Sequence, residues 1–187
     1  MDIKERKSIA VLVGSLRKAS LNKKLALVMQ ELAPDTLGLE LVEIGNLPLY
    51  NEDLDQNAPA EWTEFRQKIT KADGLLFITP EYNRSPSAAM KNAIDVGSRP
   101  YMKNVWSNKP AAVISLSPGA IGGFGANHHL RQSLVCVNAV VMAQPEMYIG
   151  AAGDLFDENG KLTDKKIEDL IRKFFRSFNR WLSHFIE

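Results

Sequence analysis

Aliphatic and polar positions follow one another along this chain in blocks, and the aliphatic blocks predict strands. Five short runs are rich in aliphatic residues, as the buried strands of a parallel sheet are. The runs are Ile9–Val13, Leu39–Ile44, Gly74–Thr79, Ala111–Ser117 and Ala139–Gln144. We predict a strand at each of them.

Segments with apolar residues at helical spacing lie between and after these runs. They are Leu21–Leu32, Glu61–Lys71, about Ser87–Val96, about Asn127–Cys136, and Asp164–Ile186. In the last segment the stripe from Phe174 to Trp181 is expected to lie in the core or in a subunit contact. The pattern predicts five helices that alternate with the strands.

Alternation of strand and helix indicates a parallel sheet with helices on both faces, connected by right-handed crossovers. Five strands favour the flavodoxin-like order 2-1-3-4-5 over the six-stranded dinucleotide fold. The sequence has no internal repeat, low-complexity tract or linker. We therefore expect an α/β three-layer sandwich that forms a single domain over residues 1–187.

Composition and charge limit the kinds of partner. The 187 residues carry a net charge of +1 with acids and bases interspersed, so no basic face suggests nucleic acid. The charged N-terminus is unlike a signal peptide, and no apolar run approaches the length of a membrane span. The single cysteine, Cys136, is compatible with a reducing compartment and is predicted to be buried. We expect a soluble, cytoplasmic protein without membrane insertion.

A polar segment rich in donors, Gly14–Asn22, connects the first strand to the first helix; we call it the first loop. A helix N-terminus offers unpaired N–H groups and the positive end of the helix dipole. Arg17 and the hydroxyls of Ser15 and Ser20 add donors suited to a dianionic phosphate. The segment indicates a phosphorylated ligand, and a polar turn with a helix cap is the alternative.

Two more loops follow the third and fourth predicted strands. The second loop, Thr79–Pro86, combines an aromatic ring, a carboxylate, an amide and two prolines, and can lay a planar ring against its backbone. The third loop, Ser117–Gly125, contains four glycines that permit close approach of a ligand. Ligands of open α/β sheets bind beyond the carboxyl ends of the strands, where these loops are expected to meet.

Three segments together resemble the NAD(P)H-dependent FMN reductase family, flavodoxin-like proteins that include quinone, azo-dye and chromate reductases. They are the first loop, the Pro-Glu-Tyr-Asn stretch of the second, and Lys91–Asp95. The resemblance extends over nearly the whole chain. One departure is that the family often carries a Pro-Gly pair before the last segment, where this chain has Pro86-Ser87.

The resemblance implies a set of residues that bind FMN. Ser15, Leu16, Arg17, Ser20 and Asn22 would hold the phosphate, Pro80, Glu81, Tyr82 and Asn83 would line the isoalloxazine ring, and Ser117, Gly119, Gly122 and Gly123 would close the site. No side chain is expected to act as a catalytic nucleophile or obligatory acid. NAD(P)H would be the co-substrate and a quinone or similar small molecule the electron acceptor, in a homodimer or homotetramer with ping-pong kinetics.

Two other functions fit part of the pattern. A flavodoxin-type electron carrier usually has a strongly acidic surface and a phosphate loop without arginine, whereas this chain is nearly neutral and has Arg17. A non-catalytic module that binds another phosphorylated ligand is also compatible, because fold alone does not fix function. An NAD-type Rossmann domain is disfavoured because the first turn lacks the Gly-x-Gly-x-x-Gly pattern, although Glu43 follows the second strand.

Several remaining residues have structural interpretations. Lys91–Asp95 is expected to support the second loop from the helix behind it. His128 and His129 lack a partner at metal-ligand spacing, so we expect a solvated or interface pair and no metal site. Tyr101, Met102 and Trp106 suit either a subunit interface or the core.

Overall fold

The computed structural model describes residues 6–186 and forms a parallel sheet between two layers of helices. The strands are β1 (Lys7–Val13), β2 (Leu37–Val42), β3 (Gly74–Thr79), β4 (Pro110–Leu116), β5 (Val140–Val141) and β6 (Met147–Ile149). The helices are α1 (Leu21–Leu32), α2 (Ala60–Lys71), α3 (Ala88–Ser98), α4 (Phe124–Cys136) and α5 (Lys165–Leu182).

The sheet has the order β2-β1-β3-β4-β5, and β6 also pairs with β4. All of these pairings are parallel. In the register of the ladders, Val13 lies beside Ile78, and Thr79 lies beside Ser115. The strand ends that carry the three loops therefore lie side by side, and the predicted flavodoxin-like order is confirmed.

Alternate residues of each strand enter separate hydrophobic clusters on the two faces of the sheet. Ile9 and Val11 of β1 pack with α1 and α5, whereas Leu12 packs with α2, α3 and α4. Phe178 on α5 and Trp106 after α3 are each fully buried in one of these clusters. The apolar stripe of the last helix is therefore core.

The fifth predicted strand, Ala139–Gln144, is shorter than expected and is followed by a sixth strand. β5 pairs with the beginning of β4, and β6 pairs with its end. Pro145 lies between them and has no N–H to donate to a ladder, so pairing cannot continue through it. The aliphatic run therefore predicted β5 but gave no indication of β6.

The boundaries and exposure of two helices differ from the prediction. α4 begins at Phe124, three residues earlier than expected, after Gly123 in a left-handed conformation. Cys136 is exposed and not buried, because α4 turns Leu130 and Leu134 toward the core and Cys136 lies on another face. α5 ends at Leu182 and not at Ile186. Within residues 6–186, no helix is both long and apolar enough to cross a membrane.

The segment Lys91–Asp95 has a structural role, but its contacts reach the connection after β2 and not the second loop, which it was predicted to support. The buried side chain of Asn92 accepts a hydrogen bond from the Tyr50 N–H at 2.8 Å. Its amide nitrogen donates to the carbonyl oxygens of Leu47 and Pro48. Asn92 thereby fixes the long connection after β2 against α3.

Candidate functional site

The three loops meet at the carboxyl edge of the sheet through contacts between distant parts of the chain. The Gly14 N–H donates to the Ile78 carbonyl at 2.9 Å, which joins the ends of β1 and β3. The Ser87 hydroxyl donates to the Gly14 carbonyl at 2.6 Å and also caps α3. The loops therefore form one surface, as the sequence predicted.

The first loop has a buried polar floor and an exposed basic rim. Ser15, Ser20 and Asn22 are buried, whereas Leu16 and Arg17 are exposed. The Ser20 oxygen caps α1 by accepting from the Lys23 N–H at 3.1 Å. The floor therefore lies at a helix N-terminus, where an anion is stabilised.

Backbone donors in the first loop are available to a ligand. The N–H groups of Leu16, Arg17 and Lys18 make no hydrogen bond within residues 6–186. Three successive free donors next to a helix N-terminus form a concave site that suits phosphate oxygens. A polar turn that served only as a cap would not require this row of free donors.

Asn22 has one paired and one unpaired side-chain atom. Its amide nitrogen lies 3.5 Å from the Leu116 carbonyl at the end of β4, which it faces as a donor. Its buried Oδ1 has no partner within the described residues. An unpaired acceptor fits a ligand hydroxyl and not a phosphate oxygen, because a phosphate at neutral pH mainly accepts hydrogen bonds. The side chain therefore matches a polyol and the loop backbone matches the phosphate.

A cavity of about 650 Å³ adjoins the first loop. Ser15, Arg17 and Lys23 line one side of it, and the segment Glu43–Gly45 after β2 lines the other. The Glu43 carboxylate accepts from the Ile44 and Gly45 N–H groups, so it shapes its own turn. The volume lies within the range of small-molecule sites.

The second loop forms a tight turn at its tip. Tyr82 and Ser85 exchange two backbone hydrogen bonds, and Asn83 and Arg84 between them have φ values of 50° and 63°. Tyr82 and Asn83 are exposed, and Pro80 is buried. The Glu81 carboxylate accepts from the Ala126 N–H of α4 at 3.0 Å and therefore faces the helix, not open solvent. Only the backbone of Glu81, and not its carboxylate, is therefore in a position to line a flat ligand as predicted.

The third loop uses two of its glycines for conformations that other residues rarely adopt. Gly122 and Gly123 are buried and have φ values of 60° and 76°. A Cβ on Gly122 would lie 2.8 Å from the Tyr148 carbonyl carbon, so the loop packs directly on the β6 backbone. Gly119 is exposed, and its N–H donates to the Ser117 hydroxyl oxygen at 3.1 Å. The close approach at Gly122 is therefore to β6, and the predicted approach of a ligand to this loop stays a prediction.

A polar cluster lies beside the third loop. The Tyr148 hydroxyl donates to the Glu146 carboxylate and lies 3.0 Å from Nε2 of His128. Burial, and then Glu146, raise the pKa of Tyr148 to about 12. The exposed His129 lies 3.0 Å, through Nδ1, from the Ser85 hydroxyl. The two histidines are thus in separate contacts, which the sequence could not indicate.

Ser87 and Gly125 belong to the site and were missed in the sequence. Ser87 stands in the segment where the family often has a Pro-Gly pair, and its buried hydroxyl connects α3 to the first loop. Gly125 allows α4 to approach the second loop, since a Cβ there would lie 3.0 Å from the Glu81 carboxylate. The departure from the family pattern pointed to Ser87, and Gly125 was among the four glycines of the third loop without being assigned to the site.

These features fit a flat ligand that carries a polyol and a phosphate, as FMN does. The free donors of the first loop suit the phosphate, and the unpaired Asn22 oxygen suits a ribityl hydroxyl. The backbone N–H groups of Asn83 and Arg84 make no hydrogen bond within the described chain and can donate to a ring edge. The hydrogen-bonding groups of the site therefore fit this cofactor.

Comparison with known proteins agrees with this geometry. A quinone reductase of Pseudomonas putida is 56% identical over 176 residues, covering 94% of this chain and 94% of that protein. A 2-hydroxy-1,4-benzoquinone reductase of a Burkholderia species is 44% identical over 174 residues, covering 93% and 95%.

A solved structure also matches over almost its full length. The flavoenzyme NAD(P)H:(acceptor) oxidoreductase FerB from Paracoccus denitrificans superposes with a TM-score of 0.90 at 44% identity, covering 96% of this chain and 98% of that one. The family described as NADPH-dependent FMN reductase matches residues 8–154, which include all three loops. With an FMN-compatible site at the edge of a flavodoxin-like sheet, the chain belongs to the NADPH-dependent FMN reductase family.

Proposed function

We propose that this enzyme is an NAD(P)H-dependent quinone reductase that works through bound FMN. FMN bound here would supply the redox chemistry, which is acceptance of a hydride from NAD(P)H and transfer of two electrons to the acceptor. The names of the Pseudomonas and Burkholderia relatives support a quinone as the acceptor. The observation that carries the proposal is the row of free backbone donors in the first loop, beside the exposed tip of the second.

The first loop holds the cofactor in this proposal. Ser15, Ser20 and Arg17 bind the phosphate together with the backbone N–H groups of Leu16 to Asn22. The unpaired Oδ1 of Asn22 accepts a hydrogen bond from a ribityl hydroxyl. A phosphate fixed by several charge-assisted hydrogen bonds orients the rest of the ligand.

The second and third loops surround the ring. Pro80 and the backbone of Glu81, Tyr82 and Asn83 line the isoalloxazine, and the glycines of the third loop close the other side with Ser117. Backbone N–H groups of the second loop would donate hydrogen bonds to the ring edge and stabilise negative charge there, as preorganised donors do. No side chain is needed as a nucleophile.

Both substrates use one exposed face above the second loop in this scheme. NAD(P)H must then leave before the acceptor binds, which produces ping-pong kinetics. An open face selects its acceptors weakly, so azo compounds, free flavins and chromate are further candidates beside quinones. Initial rates at several fixed quinone concentrations should give parallel double-reciprocal plots, and intersecting plots would contradict the shared face.

A spectrum of the purified protein tests the cofactor directly. The expected preparation is yellow, releases FMN and not FAD on denaturation, and oxidises NAD(P)H rapidly when a quinone is added. A colourless protein that FMN cannot reconstitute would overturn the proposal. A yellow protein that does not oxidise NAD(P)H would instead be an electron carrier.

We also propose that the enzyme is a homodimer or homotetramer located in the cytoplasm. Large apolar side chains are exposed at Leu49, Tyr101 and Met102, and the last two are 80% and 84% exposed. Such side chains are typical of the buried centre of an interface. Light scattering of the purified enzyme measures its mass, and a monomer at micromolar concentration would contradict this arrangement.

A further inference from the structure

Helix α4 begins without a capping side chain of its own. Gly123 stands at the capping position and has no side chain to accept from the first turn. The acceptor is supplied by Glu81, 45 residues earlier, whose Oε2 lies 3.0 Å from the Ala126 nitrogen. A carboxylate at this place satisfies an otherwise unpaired donor and interacts favourably with the helix dipole. The second loop is therefore bonded to the start of α4.

The approach of the loop to the helix is close enough to require a glycine. A Cβ on Gly125 would lie 3.0 Å from the Glu81 Oε2 and 3.1 Å from the Arg84 carbonyl oxygen. The Glu81 side chain is only 13% exposed. Arg84, which also donates to Glu81 at 3.1 Å, is 71% exposed, so this surface pair adds little to the attachment.

A second contact fixes the other end of the turn. The Ser85 hydroxyl lies 3.0 Å from Nδ1 of His129, one helical turn beyond Ala126. Between the two contacts, Asn83 and Arg84 hold left-handed conformations, which persist only where the surroundings impose them. The two attachments to α4 supply that restraint.

We propose that Glu81 is a positioning residue for the flavin ring. By capping α4 from outside the helix, its carboxylate holds the turn at Tyr82–Ser85 so that the N–H groups of Asn83 and Arg84 are preorganised toward the ring. The inference rests on the proposed function, because it assumes that the ring lies against this turn. Glu81 touches neither cofactor nor substrate through its carboxylate.

Two substitutions at Glu81 separate the hydrogen bond from the charge. E81A and E81Q both remove the negative charge, but the glutamine amide oxygen can still accept from Ala126. Loss of a buried hydrogen bond to a charged group weakens an equilibrium by roughly tenfold or more. We therefore expect the FMN dissociation constant to rise about tenfold in E81A and to stay within about threefold of wild type in E81Q.

A matched control removes a helix cap elsewhere. Asp164 caps α5 by accepting from the Lys166 and Ile167 N–H groups, and α5 packs on the opposite face of the sheet from α4. D164A should lower the melting temperature by an amount similar to E81A. The midpoint potential of the bound flavin should shift in E81A and remain at the wild-type value in D164A and E81Q.

The outcomes of this experiment are distinct. A wild-type protein that binds no FMN overturns the proposed function itself. A wild-type protein that binds FMN, with an unchanged potential and FMN affinity in E81A, overturns the positioning role alone, as does a shift of equal size in D164A. If E81A does not fold, S85A releases the other attachment, and an unchanged potential there also contradicts the inference.

Discussion

The first loop contains two kinds of side chain that lie in different environments. The hydroxyls of Ser15 and Ser20 are held in the buried floor, and Ser20 is already bonded to α1. The Arg17 guanidinium is exposed. The floor is therefore fixed by the fold, whereas the Arg17 side chain extends into solvent at the rim.

Removal of Arg17 should weaken cofactor binding without affecting the fold. A hydrogen bond between charged groups contributes about 1.5–3 kcal/mol, so R17A should raise the FMN dissociation constant roughly 10- to 100-fold. R17K keeps the charge but loses the forked geometry of the guanidinium, so its FMN dissociation constant should lie between those of wild type and R17A. Quenching of FMN fluorescence measures the affinity, and R176A on the surface of α5 is the control. Equal affinities of R17A and R176A would exclude Arg17 from the site.

Tyr148 should make stability depend on pH in the alkaline range. Burial and the hydrogen bond to Glu146 raise its pKa from 10.0 to about 12. A group whose pKa is raised by folding stabilises the protein below the unfolded value, and this contribution is lost as the pH rises from 10 toward 12. The free energy of unfolding should fall over that window, and less steeply in Y148F. An identical slope in Y148F would contradict the assignment.

The residues that the sequence indicated best are those whose neighbours in sequence are also their neighbours in space. The first loop could be recognised as a dense polar segment because Ser15, Arg17 and Ser20 lie within six positions, and its binding of a phosphate stays a prediction. The partners of Glu81 and Ser87 are 45 and 73 residues away, in α4 and at Gly14. No local pattern reports such contacts, so their bonding could not be predicted.

Among the elements, α5 contributes most clearly to the core. Phe174 and Phe178 are fully buried and stack with their ring centroids 5.9 Å apart. They pack beneath the sheet with α1 and the ends of β4 and β6. The helix that follows the three loops in the chain thus supports the sheet from the face opposite α4.

Truncation of Phe178 should destabilise the protein strongly. A fully buried phenylalanine replaced by alanine costs about 3–5 kcal/mol, from lost burial and from the cavity that remains. R176A, on the exposed side of the same helix, should change the free energy of unfolding by no more than about 0.5 kcal/mol. Urea unfolding of the two variants measures both values. A loss below about 1 kcal/mol in F178A would show that the site collapses around the gap.

The bounds of a helix were predicted accurately where the local sequence marks both of its ends. The prediction of α1 matches the structure at both ends because its apolar stripe is regular and Ser20 marks the start. α4 was predicted to begin too late, because its cap comes from the second loop and not from the adjacent sequence. The end of α5 was missed because apolar residues, Phe185 and Ile186, continue past Leu182.

For the whole molecule, cofactor binding and folding should be coupled. A ligand that binds only the native state stabilises it by about 2.7 kcal/mol at a concentration 100 times its dissociation constant. For a chain of this size that should raise the melting temperature by roughly 5–10 °C. Riboflavin lacks the phosphate and should give a much smaller rise. Equal shifts with FMN and riboflavin would show that the first loop does not bind the phosphate.

The order of the sheet was predictable because alternating strands and helices leave few topologies for a right-handed parallel sheet. The division of the last edge into β5 and β6 was not, since runs of two and three residues are too short to give a periodic signal. Whether residues 1–187 form one domain, as the lack of a linker predicts, stays a prediction.

The divided edge affects how this protein behaves at high concentration. A long, straight edge strand exposes a row of backbone donors and acceptors that can pair with another molecule and begin aggregation. Beside β4, the edge consists of two short strands separated by Pro145, so no such row extends along this side of the sheet. The same interruption that hid β6 from sequence analysis thus protects the native protein against edge-to-edge association on that side.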